Sequence, residues 1–138
     1  MKKFLFSFGL IGLLGVGFGI YMYNKPHKDI KKSTADLKIE ANQLLTDFEE
    51  NEAEANTTYL DKLIEVTGTV REVSKDEEGN VSVILESENP LAGVICQLDN
   101  LTAHDKTSFE SGEKVAFKGL CTGMLMDVVL VRCVEVEI

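Results

Sequence analysis

The chain has 138 residues and a formal net charge of −9, but that charge is unevenly placed. Residues 1–32 hold six of the 14 Lys and Arg and one of the 23 Asp and Glu, so residues 33–138 carry eight cations against 22 anions, a balance of −14. The length admits one domain plus an anchor. The acidity disfavours nucleic acid, whose binding rests on Lys and Arg neutralising phosphates.

Residues 4–23, FLFSFGLIGLLGVGFGIYMY, are twenty residues without a charge. As a helix they would extend about 30 Å, the thickness of a bilayer's hydrocarbon core. Lys2 and Lys3 precede the run, Lys25, Lys28, Lys31 and Lys32 follow it, and Tyr21 and Tyr23 stand where interfacial aromatics belong. The run is longer than a typical signal-peptide core and ends without an Ala-x-Ala-like site, so an uncleaved transmembrane anchor is predicted over residues 1–24. The first cysteine is Cys96, which leaves no residue for a lipoprotein-type attachment. The lysine-rich C-terminal flank favours a cytoplasmic domain, whereas the short Met-Lys-Lys start is that of an exported signal-anchor. The expectation is a single-pass membrane protein with its domain in the periplasm, the cytoplasmic orientation staying open.

Residues 25–34, KPHKDIKKST, read as a basic linker whose lysines face lipid headgroups. His27 there is isolated from any second ligand at metal-binding spacing. The domain is expected over residues 35–138. From Ala35 the pattern turns helical, with Ala41, Leu44, Leu45 and Phe48 at i, i+3, i+4 and i+7 and Thr34 or Asp36 as the cap. Glu49, Glu50, Glu52 and Glu54 lack the glycine-bent loop spacing of a Ca²⁺ site and read as a solvated helix face.

Five strands follow. In KLIEVTGTVREV, Ile64, Val66, Gly68 and Val70 point one way and Glu65, Thr67, Thr69 and Arg71 the other. Gly68 in mid-strand marks a bend or bulge. After the charged turn SKDEEGN, Val81, Val83 and Leu85 alternate with Ser82, Ile84 and Glu86. Val94, Cys96 and Leu98 share a face of the third strand, and the polar stretch 100–111 has room for a short helix. Val115, Phe117 and Cys121 define the fourth strand; a Thr122-Gly123 break separates it from Val128-Val129-Leu130-Val131, whose continuous apolar character predicts burial on both faces. Five strands, the first long and bent, suit a small closed barrel.

The lead-in helix followed by Tyr59, then EVTGTV, ICQLD, GEKVAFKGLCTG and LMDVVLVRC, resembles the tRNA_anti-like family over roughly residues 35–137. The resemblance implies a mainly β fold: a five-stranded OB-fold barrel preceded by an amphipathic α-helix, here behind an N-terminal transmembrane helix. Members are common in Bacteroidetes-type bacteria, often behind an anchor or signal. The family name points to single-stranded, tRNA-like nucleic-acid binding, but supplies no catalytic residues. OB domains hold single strands on aromatic platforms and basic grooves. The outward positions here, Ser82, Ile84, Glu86, Ile95 and Gln97, are neither.

Cys96, Cys121 and Cys133 all fall on inward positions, where they read as buried thiols; an oxidising compartment would allow one disulfide, its pairing open. No catalytic set, metal site or cofactor site emerges. Candidate groove residues are Asp127, Arg132, Ile84 and Gln97, with Asp127 either lining a groove at the barrel mouth or bonding turn amides. The sequence thus predicts a non-enzymatic, membrane-anchored binding module of the bacterial cell envelope that takes a protein or small polar ligand. The alternative is a single-stranded nucleic-acid-binding domain.

Overall fold

The computed structural model describes residues 2–23, 29–100 and 104–138, with side chains from residue 12 onward. His27 and Leu101 lie outside the described residues, as do the side chains of the first half of the apolar run. α1 (Lys2–Tyr23) is helical over 22 residues. Among the described residues, no helix is long and apolar enough to cross a membrane.

The domain is built on β1 (Leu37–Glu40), α2 (Ala41–Glu50), α3 (Glu52–Tyr59), β2 (Leu63–Lys75), β3 (Val81–Leu85), β4 (Val94–Leu98), β5 (Lys114–Met124) and β6 (Val128–Val136). β2 to β6 close on themselves in the order β2-β3-β4-β6-β5, with β5 returning to β2. Only the β4–β6 pair among these is parallel. That closure is an OB barrel, as the alternation predicted. Its interior holds Val66, Val70, Val83, Leu85, Val94, Phe117, Val128 and Leu130, all fully buried.

The closure depends on β2. Leu63 to Thr69 pair with β5, and Val70 to Lys75 pair with β3, with a bulge between Val70 and Glu72. Gly68 sits where the partner changes. A Cβ there would stand 3.0 Å from the Ala41 Cβ and 3.3 Å from that of Leu85, so the missing side chain lets α2 settle against the bend.

Six local expectations are corrected. The helix does not begin near Ala35: residues 37–40 form β1, which runs parallel to β2 from Leu37↔Ile64 to Glu40↔Thr67 and covers the edge that β3 leaves unpaired. Asp36 caps no helix; its carboxylate accepts from the Leu63 amide at 3.0 Å. The part of the linker that is described, residues 29–34, is docked. Ile30 is 0% exposed, packed with Leu63, Val134 and Leu120, and Lys118 Nζ donates to the carbonyls of Lys31 (3.1 Å) and Ser33 (2.6 Å). Residues 104–110 form no helix. β5 continues through Thr122 and Gly123 to Met124, with a bulge in place of a break, and β6 alternates, leaving Val129 and Val131 half-buried.

The predicted stripe Ala41, Leu44, Leu45 and Phe48 is buried against the barrel. The acidic run after it divides between two helices, because Asn51 takes extended backbone and caps α3, accepting from the Glu54 amide at 3.2 Å. Glu52 and Glu54 thereby sit at the positive end of α3. Tyr59 ties the helices together: its ring lies 5.9 Å from that of Phe48, and its hydroxyl donates to Asp47 Oδ2 at 2.5 Å.

Two predictions follow from this packing. Gly68→Val should destabilise the domain by about 1–3 kcal/mol through overpacking against Ala41 and Leu85, read as a lower urea midpoint. Burial, reinforced by the Asp47 hydrogen bond and charge, pushes the Tyr59 phenol up to about 12. The folded state therefore keeps a proton that the unfolded chain releases near pH ~10. Its contribution should be whole below that pH and be lost as pH rises toward about 12, and Tyr59→Phe should flatten the decline in urea midpoint across this window.

Candidate binding face

The outer surface of β3, β4 and β6 is where period-2 alternation turns side chains away from the core. Register aligns Ile84 with Ile95, and Ile95 with Val129, so three β-branched side chains form a half-buried row across three strands. One step along, Ser82 faces Gln97. Val131 extends the apolar surface on β6.

At one end of the row, Gln97, Leu98, Asp99, Asn100, Val131 and Arg132 line a hollow of about 330 Å³. Arg132 occupies left-handed backbone at φ 55, uncommon without glycine, where β6 bulges against β4. Its guanidinium lies 3.8 Å from the carboxylate of Asp99, itself 5% exposed, so the cation is balanced where it emerges. The Asp99 amide donates to the Cys133 carbonyl at 2.9 Å, and His104 Nε2 lies 2.6 Å from the Asp99 carbonyl.

At the other end two loops are locked together. The Asp127 carboxylate accepts from the Gly93 amide at 2.8 Å, and the Val128 amide donates to the Gly93 carbonyl at 3.1 Å. Arg71 Nη2 donates to the carbonyls of Asn89 (3.3 Å) and Ala92 (3.2 Å), and Ser87 Oγ donates to the same two at 2.9 and 2.7 Å. These bonds fix the backbone while three large apolar side chains project from it. Leu91 is 86% exposed, Leu125 95% and Met126 78%. Such a lip on an ordered frame is costly in water without an occupant to cover it.

Of the four residues predicted to line a groove, Ile84, Gln97 and Arg132 share this face, and Gln97 and Arg132 share its hollow. Asp127 lies at the far end as a loop tie, bonding a neighbouring loop and not the amides of its own turn. Sequence reasoning missed Leu91, Leu125 and Met126. The available signal was Leu-Met at the tip of a short connection, where polar residues are the rule. The cysteines are buried as predicted, and burial pushes the thiols of Cys121 and Cys133 upward. Among the described residues, no three His, Cys, Asp or Glu side chains gather as a metal site would require.

A closed β2–β6 barrel capped by a helix pair, with an outward face on β3 and β4, defines an OB-fold protein. The chain belongs to the tRNA_anti-like family, which matches residues 1–135. Among solved structures it is similar to a crystal structure at 2.46 Å of a "putative nucleic acid-binding lipoprotein" from Klebsiella pneumoniae subsp. pneumoniae MGH 78578. The TM-score is 0.59 and the identity 17%, over 82% of this chain and 100% of that one, a likeness of fold. No curated protein matches the chain.

Asp127→Ala should leave the Gly93 amide without its partner at a cost of about 1–2 kcal/mol. Hydrogen exchange should rise about tenfold or more in residues 86–93 and 125–128, with the amides of β2 and β5 unchanged.

Proposed function

We propose that the chain is a non-enzymatic OB-fold binding module, anchored in the bacterial cell envelope by residues 4–23, with a protein as ligand in preference to a small polar molecule. Two observations carry this reading: the half-buried row Ile84, Ile95 and Val129, and the exposed Leu91, Leu125 and Met126 on the two loops that Gly93 and Asp127 join. A small polar ligand would need an enclosed site with converging polar groups, whereas an apolar row and lip suit a partner's side chains.

The anchor reading rests on the twenty uncharged residues and their flanking lysines. Five residues, 24–28, separate the end of α1 from the docked segment that begins at Asp29. At about 3.5 Å per residue they reach roughly 20 Å, so an anchored domain works close to the bilayer surface. Periplasmic placement follows the Met-Lys-Lys start of an exported signal-anchor.

The family's name and the printed description of the Klebsiella protein favour a second reading, single-stranded nucleic-acid binding. The balance of −14 over residues 33–138 and the aliphatic face weigh against it.

The test uses the full chain in native membranes with a photoreactive residue at position 125. A discrete protein adduct is expected, lost when Leu91 and Met126 are both replaced by Ser. Oligonucleotide affinity in detergent at 50 mM salt is expected to be weaker than about 100 μM. Tight, steeply salt-dependent binding to single strands would establish the second reading instead. A reporter fused after Ile138 that functions only outside the cytoplasm checks the orientation.

A further inference from the structure

We propose that the docked segment at the start of the domain holds the barrel with its β5 wall toward the bilayer, so that the candidate binding face is turned away from the lipid and meets a water-exposed domain of a partner protein. This orientation rests on the anchor reading and specifies the partner of the same face.

Ile30 locates where the chain enters the domain. It is fully buried against Leu63 of β2, Leu120 of β5 and Val134 of β6, a cluster separate from the barrel interior. β5 pairs with both β2 and β6, so the segment lies along the β5 wall. It is held on either side of this contact. Lys118 Nζ on β5 donates to the carbonyls of Lys31 and Ser33, and the Asp36 amide donates to the Leu63 carbonyl at 2.7 Å before β1 pairs with β2. The row Ile84, Ile95 and Val129 is centred on β4 instead. In the closed order β2-β3-β4-β6-β5, β4 and β5 are as far apart as five strands allow. Leu125 and Met126 precede β6, whereas Val134 lies near its end, about 20 Å along the strand from Val128.

Residues 24–28 limit how the domain can turn. Their reach of roughly 20 Å is shorter than the path around a domain about 30 Å across. The β4 side therefore cannot be brought down onto the bilayer while Ile30 stays docked. Charge favours the same orientation. Beside the docked segment, Lys31 stands against Asp105 and Lys106 against Glu113. The helix pair carries Asp47, Glu49, Glu50, Glu52 and Glu54 and no lysine or arginine, so a leaflet of anionic lipid repels it.

The experiment takes the full chain carrying Asp105→Cys, Leu91→Cys or Met126→Cys, reconstituted into vesicles of zwitterionic and anionic phospholipid. A membrane-impermeant maleimide dye is added from outside; the three native cysteines are buried, and the parent chain measures any labelling of theirs. Energy transfer to a headgroup-labelled acceptor lipid then reads the distance from the bilayer. The dye at 105 is expected close to the headgroups, and the dyes at 91 and 126 roughly 15 Å or more beyond it, half the width of the domain. Inserting about ten Gly and Ser residues after residue 28 lengthens the tether without touching the domain and should remove most of the difference. Equal distances in the original chain, or a full difference kept by the lengthened one, would overturn the proposal and leave the anchor standing. So would dyes at 91 and 126 lying nearer the lipid, which would make the bilayer itself the occupant of the lip. A chain that does not float with the vesicles would overturn the anchor reading and the orientation with it.

Discussion

The change of partner along β2 is the constraint on which the rest of the domain depends. One strand must hydrogen-bond to β5 over its first half and to β3 over its second, which demands a sharp bend where the two halves meet. Gly68 and the bulge after Val70 supply that bend, and the same absent side chain gives Ala41 its seat. β1 can then take the edge left open beside the first half of β2, and the docked segment from Ile30 covers Leu63 at its start. Closure, helix packing and the entry of the chain into the domain all pass through one stretch of backbone.

The second organising feature is a separation of charge from shape. The acidic residues concentrate on the helix pair, the β2–β3 turn and the loops, while the outer face of β3, β4 and β6 carries the aliphatic row with Ser82, Gln97 and Arg132, and Glu135 is exposed toward the end of β6. Where an arginine reaches that face, the Asp99 carboxylate stands against it. An OB barrel can be adapted to many ligands because its core pattern constrains only alternate positions. Here the free positions hold Ile84, Ile95 and Val129, a set that offers hydrophobic contact and little to a phosphate backbone.

The lip follows from the same logic. Asp127 and Arg71 spend their hydrogen-bonding capacity on loop backbone, which ties residues 89–93 to β2 on one side and to the β5–β6 connection on the other. Holding Leu91, Leu125 and Met126 in water costs solvation free energy, and the ordered frame prevents the chain from recovering it alone.

Alternation along Ile64, Val66, Val70, Val83, Leu85, Cys96 and Phe117 determined the strands and their inward faces, since a two-residue period leaves no other way to bury them. The stripe of Ala41, Leu44, Leu45 and Phe48 likewise determined the face of α2. Those are local periodicities, and sequence carries them in full. What only tertiary structure decided were the relations between distant segments. β1 is a strand because β2 offers it an edge, residues 29–34 are docked because Leu63, Leu120 and Val134 expose a hydrophobic notch, and Asp127 bonds Gly93 because two loops meet. Each depends on backbone groups and surfaces that exist only once the barrel has closed, so no window of sequence contains them.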